Sequence, residues 1–339
     1  MTRVLITGCT GCVGSNLAAA LNKYGYEVTG LCYPGAPTTN LEGLRVRRVH
    51  GDILDTESLL SAMQGIDWVF HVAAIADDWN HSPEKVYRTN VDGTRNVLAA
   101  AQQTGVKRLV FTCSAAVLGV PQPGQALMDE NNPFNVKPED WIYGHSKVLA
   151  EEILKSYVAQ GLHAVSVLPT AIMGPGDLNF ISGQMITRVV NGEIFPFPDG
   201  GVNFIDVRDV AEAHINAALH GQPGERYLLG GHNYSHLHCL GTISDVLGLP
   251  VNYIRIPNFA VPAMAEGIGL LQKMKVRVPV DRGRILLGKQ HMYYNNQKAK
   301  RELGLKIRSF EETIRDTFQF YRDQGLFKKL SLPAHYAEI

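Results

Sequence analysis

Tyr143 and Lys147 stand four residues apart in the run Tyr143-Gly144-His145-Ser146-Lys147, inside a helical pattern. On a helix, positions i and i+4 share one face. A lysine beside a phenol favours the phenolate, so such a pair could act as an acid/base near neutral pH. The spacing alone is common, and its plain alternative is an exposed lysine next to a half-buried tyrosine. Two further features turn the reading toward chemistry. The first is a glycine turn, Gly8-Cys9-Thr10-Gly11-Cys12-Val13-Gly14, lying between a strand-like run (Val4-Leu5-Ile6) and a helix-like run at 17–21. In that setting the first glycine allows a sharp turn, the next lets backbone approach a pyrophosphate, and the last permits close helix–sheet packing. The helix start then offers free N–H groups and a partial positive charge to phosphates. The second is Ser114, just past the apolar strand pattern at 107–113, where open α/β sheets place their ligands.

Strand patterns fall at about 3–7, 27–32, 46–50, 67–71, 107–113 and 163–168, alternating with helical patterns at about 13–24, 56–63, 84–104 and 139–160. This alternation predicts an α/β fold, a doubly wound parallel sheet with helices on both faces. From Pro169 onward glycine and proline become frequent, as in Gly174-Pro175-Gly176 and Phe195-Pro196-Phe197-Pro198, and mark loops. Helices follow at 207–219 and about 310–323. The expected division is a Rossmann-type dinucleotide-binding domain at 1–169 plus about 206–229. A smaller, discontinuous substrate lobe takes about 170–205 and 230–339.

Taken together, these motifs resemble an extended short-chain dehydrogenase/reductase. More narrowly, the chain resembles the dihydroflavonol reductase-like group of the NAD-dependent epimerase/dehydratase family. The likeness runs over nearly the whole chain. It includes the segment 28–35, Asn40-Leu41-Glu42-Gly43-Leu44, Gly51-Asp52-Ile53, Val69-Phe70-His71-Val72-Ala73-Ala74, the stretch 90–97, Gly174-Pro175-Gly176-Asp177 and the stretch 224–231. The resemblance implies that Tyr143 passes a proton to a substrate oxygen and that Ser114 hydrogen-bonds that oxygen. It implies that Lys147 lowers the phenol's pKa and holds the nicotinamide ribose. It also implies cofactor contacts along the turn (Gly8, Gly11, Cys12, Val13, Gly14), near the adenine (Asp52, Ile53) and on the adenosine side (Val72, Ala73, Ala74). Pro169 and Thr170 fall beside the nicotinamide. Asn90 matches the family's asparagine, although a buried helix residue holding a backbone group is an equal reading.

The chain departs from the family after the second strand. An acid there would hold the ribose hydroxyls of NAD, and an arginine at Tyr33 would meet the phosphate of NADP. Leu31-Cys32-Tyr33 is neither, and Arg45, Arg47 and Arg48 come later, so the cofactor is NADP(H) or NAD(H) with no side chain here that selects. The segment after Ser114 is Ala115-Ala116, without the Asp-Glu pair of the family's sugar-nucleotide dehydratases. Substrate contacts are expected from Trp79, Asn179, Phe180, Met185 and Phe204, whose types suit a partly apolar carbonyl or hydroxyl compound. The expected activity is NAD(P)-dependent reduction of a ketone or aldehyde, or the reverse. A nucleotide-sugar epimerase and a non-catalytic dinucleotide sensor are the alternatives.

The bulk numbers agree with a soluble enzyme. Of 339 residues, 45% are hydrophobic and 19% charged, and the formal net charge is zero, so no overall field recruits nucleic acid or membrane. Cys9 and Cys12 form a C-x-x-C, but inside the glycine turn they read as small packing residues rather than a metal or redox motif. His71 in an apolar strand reads as a satisfied core histidine, and neither H-E-x-x-H nor G-x-S-x-G occurs. Five cysteines and an immediate first strand lead us to expect reduced thiols, a cytoplasmic location and no targeting segment. The expected partner is a small-molecule substrate, and a homodimer is allowed.

Overall fold

The inner strands of the central sheet are short apolar runs buried on both faces, as parallel strands require, whereas the edge strand at Val46–His50 is largely exposed. The computed structural model describes residues 1–274 and 282–327. The parts of the lobe expected at 275–281 and 328–339 lie outside the described residues. The first half follows the order β1 (Arg3–Thr7), α1 (Cys12–Lys23), β2 (Glu27–Cys32), β3 (Val46–His50), α2 (Thr56–Met63), β4 (Trp68–His71), α3 (Pro83–Tyr87), α4 (Gly93–Gln103), β5 (Arg108–Thr112), α5 (Ile142–Ala159) and β6 (Ala164–Pro169). Next come β7 (Ala171–Met173), α6 (Gln184–Val190), β8 (Ile194–Pro198), β9 (Gly201–Asp206), α7 (Val207–His220), β10 (Arg226–Leu229), β11 (His232–Ser235), α8 (His236–Leu247) and β12 (Asn252–Ile256). The chain continues with α9 (Val261–Lys273), α10 (Arg282–Gly288), α11 (Gln297–Leu303) and α12 (Phe310–Asp323).

Seven strands form one sheet in the order β10-β6-β5-β4-β1-β2-β3. All six pairings are parallel. This is the doubly wound Rossmann-type sheet expected from the alternation. Its strand order reverses between β1 and β4, and at such a switch point the turns at the strands' carboxyl ends diverge and leave a crevice. One face carries α2, α4 and α5 over a core that includes Leu59, Val97, Phe111 and Leu154. The other carries α1, α7 and α11 over Leu17, Phe70, Val210 and Ala299. Each fully buried phenylalanine contributes roughly 1.5–3 kcal/mol to holding these layers.

A third cluster, built on Phe204, Ile243, Phe310 and Tyr321, belongs to the remaining segments. There β11-β9-β7 and β12-β8 form two small sheets. The edge strand β10 is pinned by Arg226, which pairs with Glu151 of α5 at 2.9 Å, and by Glu130, which accepts the Leu228 N–H at 2.9 Å. Among the described residues no helix is long and apolar enough to cross a membrane.

The helix expected at 84–104 is continuous from Pro83 to Gln103 but is not α-helical throughout. A π turn at Arg88–Asp92 separates α3 from α4. Such an insertion turns Asn90 inward, where its amide is fully engaged (below). The helix expected at 139–160 begins as α5 at Ile142, after a separate turn at Pro138–Asp140.

Candidate active site

The glycine turn joins β1 to α1, and its three glycines differ in what they do. Gly8 has φ +70°, and a Cβ there would lie 2.8 Å from the Ala73 backbone. At Gly14 a Cβ would lie 2.2 Å from the Gly8 carbonyl oxygen. Both positions need glycine for the fold itself. At Gly11 a Cβ would meet only the Gly8 carbonyl, at an ordinary 3.5 Å, so the protein leaves that side open. Gly11 also caps α1 without a side-chain hydrogen bond, so the amides of Cys12, Val13 and Gly14 face the position where an anion belongs. An uncapped helix start beside an open glycine fits a dinucleotide pyrophosphate. The Gly174–Asp177 loop closes over this turn: Asn16 donates to the Pro175 carbonyl at 2.8 Å and Asn40 to the Gly176 carbonyl at 3.0 Å.

Tyr143 and Lys147 share one face of α5, and Ser114 follows β5. The Lys147 side chain is 2% exposed, lies over the Phe111 ring at 4.5 Å and donates to the Thr112 carbonyl at 2.7 Å. Burial lowers its pKa from 10.5 to about 8, against the pull of Cys113 and Glu151. Burial also pushes the half-buried Tyr143 phenol up to about 12, with the facing Ser114 hydroxyl opposing the rise and the charges of Cys113 and Asp78 adding to it. The expectation that Lys147 lowers the phenol is therefore corrected for this state of the protein. The ammonium is spent on Thr112 and the ring of Phe111, and desolvation dominates. The Ser114 hydroxyl accepts from the Ala116 N–H at 3.2 Å, which fixes its rotamer.

A string of hydrogen bonds runs from the turn to α5. The Thr7 hydroxyl accepts the Val72 and Ala73 N–H groups at 3.2 Å each and meets His71 Nδ1 at 2.8 Å. His71 Nε2 meets the Thr94 hydroxyl at 3.0 Å, which donates to the Asn90 carbonyl at 2.6 Å. The Asn90 side chain accepts from Ile75 N–H and donates to Ile75 O and to Ser146 Oγ. Ser146 in turn donates to the Tyr143 carbonyl at 2.7 Å. Of its two readings, Asn90 thus follows the second: it holds the loop after β4 against the catalytic helix. His71 is a satisfied core histidine, pushed down to about 3 by burial.

Sequence reasoning missed Asp78. Its carboxylate accepts the Tyr143 N–H at 3.0 Å and so caps α5 at the residue that matters most. Arg284 of α10 lies 3.9 Å from the same carboxylate and 3.4 Å above the Trp79 ring. No local pattern signals this, because the loop and α10 are some 200 residues apart in sequence. Trp79 follows Asp78 in the same loop and is 39% exposed, with Arg284 over its ring. Phe204 is corrected: it is 4% exposed and stacks on Phe310, because β9 turns it into the lobe core. Phe180, at φ 53°, packs on Tyr321, and Met185 packs on the same cluster, while Asn179 is exposed.

Tyr33 stands 62% exposed at the end of β2. Arg45, Arg47 and Arg48 bind Asn22, Thr29 and Thr38 instead. Asp52 accepts from Leu54 N–H beside buried Ile53, Ala74 is exposed after β4, and Pro169 ends β6. These positions ring the carboxyl ends of the parallel strands.

The family model described as NAD dependent epimerase/dehydratase family matches residues 4–230. The chain belongs to that family. A Synechocystis protein named as a dihydroflavonol 4-reductase is 35% identical over 95% of both chains. A ketoreductase of Stigmatella aurantiaca, named for a farnesyl dihydroquinoline oxide, is 30% identical over 89% of this chain and 91% of its own. The solved structure of gox2253 superposes with a TM-score of 0.86 at 31% identity, covering 96% of this chain and 99% of that one. The family member described here is an NAD(P)-dependent oxidoreductase acting on carbonyl and alcohol groups, with the extended short-chain fold.

Proposed function

We propose that this protein reduces a ketone or aldehyde on an apolar metabolite, with Tyr143 as proton donor, Ser114 as the group that binds the carbonyl oxygen, and Lys147 as the residue that holds the nicotinamide ribose. The observation that carries the reading is the phenol itself. It is held on α5 one turn from a buried lysine and faces Ser114, and like any tyrosine whose pKa is not lowered it is protonated at neutral pH. A protonated phenol donates, which suits reduction. A dinucleotide with its pyrophosphate on the glycine turn would supply, from its reduced nicotinamide, the hydride that this chemistry needs. The residues Gly8, Gly11, Cys12, Val13, Gly14, Tyr33, Asp52, Ile53, Val72, Ala73, Ala74 and Pro169 would line its length.

The residues do the rest. Ser114 orients the substrate carbonyl and stabilises charge on its oxygen. Tyr143 delivers the proton to that oxygen. Lys147, still largely protonated at neutral pH, would hold the nicotinamide ribose and places a positive charge near the phenolate that forms once Tyr143 has given up its proton. Trp79, next to Asp78, offers the substrate an apolar wall. Relatives named for a steroid and for a farnesyl quinoline compound support an apolar substrate. The two-lobed division, a cytoplasmic setting and a homodimer belong to the same proposal.

A panel of carbonyl compounds with NADH and NADPH tests it, with Tyr143→Phe as the control. The variant is expected to bind dinucleotide normally and to lose roughly 10²–10⁴ in turnover. Near-normal turnover in the folded variant would remove Tyr143 from the mechanism.

A further inference from the structure

The segment 174–177 crosses the molecule as a strap. It leaves β7, which follows β6, and reaches Asn40, which follows β2. In the sheet, β5, β4 and β1 stand between β6 and β2. On the way, a Cβ at Gly174 would strike Val207 at the start of α7, and one at Gly176 would meet Asn16, Ser15 and Cys12 at the start of α1. The strap thus runs along the helix starts, past the turn whose amides suit a pyrophosphate.

Two half-buried asparagines staple it there, each in the same way. Asn16 Nδ2 donates to the Cys12 carbonyl at 2.9 Å and to the Pro175 carbonyl at 2.8 Å. Asn40 Nδ2 donates to the Thr10 carbonyl at 3.2 Å and to the Gly176 carbonyl at 3.0 Å. Each amide spends one hydrogen on the turn or its helix and one on the strap. All four acceptors are carbonyls, so the nitrogen has to face them, and it keeps no hydrogen for a ligand. The far end of the strap is anchored in the lobe. The Asp177 carboxylate, 5% exposed, accepts from the Ile181 and Gly183 N–H groups at 3.1 Å each. It also accepts from the Ser182 N–H and the Tyr321 hydroxyl at 3.3 Å each. The buried end is therefore held by four bonds around one carboxylate. The asparagine end is held by one bond from each staple, and it is the end that parts first.

We infer that Asn16 and Asn40 are positioning residues that gate the dinucleotide: by stapling the strap to the phosphate turn they set how fast the cofactor enters and leaves, and not how tightly it binds. Their bonds lie wholly inside the protein, so they favour a closed crevice without discriminating between ligands, and a bond with no differential contact to the ligand shifts no affinity. Entry and exit both wait for the strap to part, and both scale with the fraction of time it is open. The inference rests on dinucleotide binding, and not on the direction or the substrate of the reaction.

Stopped-flow fluorescence of NADH and of NADPH measures entry and, with excess oxidised cofactor as the chase, exit; calorimetry measures Kd. Asn16→Ala and Asn40→Ala each remove one bond from the strap, and each should raise both rates about three- to tenfold while Kd stays within about twofold. Gly176→Ala puts a Cβ 3.1 Å from the Asn16 amide nitrogen on a backbone at φ +98°, and should speed exchange in the same way with both asparagines present. Asn16→Gln, which still has two hydrogens to give, should exchange more slowly than Asn16→Ala. A purely structural role would lower the melting temperature of these variants and leave their exchange rates at the wild-type values, which overturns the inference. So does a faster exit matched by a weaker Kd, since the asparagines would then shape the bound state rather than the gate. A wild type that binds neither dinucleotide would defeat the cofactor assignment, and this inference with it.

Discussion

Exchanging Asp78 for asparagine removes one charge and almost no shape. The amide oxygen can still accept the Tyr143 N–H, so α5 keeps its cap and loses only a few tenths of a kcal/mol to about 1 kcal/mol. The carboxylate, however, is felt by the phenol, whose pKa it helps to raise. It binds the Tyr143 backbone nitrogen at 3.0 Å, and the phenol oxygen lies a side chain's length beyond. At about 8–10 Å and an effective dielectric constant of about 20, a unit charge acts with roughly 2 kcal/mol, a little over one pK unit. The phenol should therefore titrate below its present value near 12, by no more than about one unit, since burial remains the larger cause of its rise. Tyrosinate absorbance followed with pH, taking Tyr143→Phe as the blank, measures it without any substrate. Once a substrate is in hand, the alkaline limb of reduction should move to lower pH by the same amount, because the donor is lost sooner. The limb for alcohol oxidation should move the same way, because the base appears sooner. An unmoved titration, or one displaced to higher pH, refutes this coupling of the cap and the phenol.

Other changes separate fold from function. Gly11→Val should keep normal thermal stability but abolish dinucleotide binding in calorimetry, because its Cβ meets nothing in the protein closer than 3.5 Å. Gly14→Ala should lose about 3 kcal/mol or more in denaturant unfolding, since its Cβ strikes backbone. Lys147→Met should end catalysis yet stabilise the protein at pH 7. Burial lowers the lysine from 10.5 to about 8, a cost of roughly 3 kcal/mol fully present below the folded value; its bond to Thr112 trims the gain to about 1–3 kcal/mol. As pH climbs from 8 toward 10.5 the folded lysine loses its proton first, the wild type recovers, and the gap in unfolding free energy should close. Tyr33→Arg should shift preference toward NADPH by roughly 1.5–3 kcal/mol, the scale of a hydrogen bond to a charged group. Steady-state constants for both cofactors check it, and the exposed tyrosine should make the swap harmless to folding.

Six of the seven strands of the main sheet are legible in the sequence, five of them as apolar runs; the edge strand β3 carries Arg47, Arg48 and His50 among its valines. The seventh, β10, has only Arg226-Tyr227-Leu228-Leu229 between glycines, too short for a period to show. The small sheets lie in the glycine- and proline-rich stretch, where pairing depends on distant partners such as Phe204 with His232. The turn, Ser114, Tyr143 and Lys147 were legible because their chemistry is local to a strand end or a helix face. Asp78 and Arg284 were not, since each acquires its role only when a loop and a late helix meet α5. The phenol's pKa was misjudged for a related reason: spacing shows a lysine nearby, but only packing shows desolvation outweighing it.

The string from Thr7 to Asn90 has a direction. Thr7 already accepts two amide hydrogens, so its own hydrogen goes to His71 Nδ1. His71 must then carry its proton on Nε2 and donate to Thr94, whose hydrogen passes to the Asn90 carbonyl. Reversing one link would set two hydrogens or two lone pairs against each other, so the links turn together or not at all. The imidazole thus reads the register between the phosphate turn and the helix that bears Tyr143. Its nitrogen resonances are a built-in spectroscopic gauge: one tautomer while the two are locked in step, and a mixture as soon as they slip.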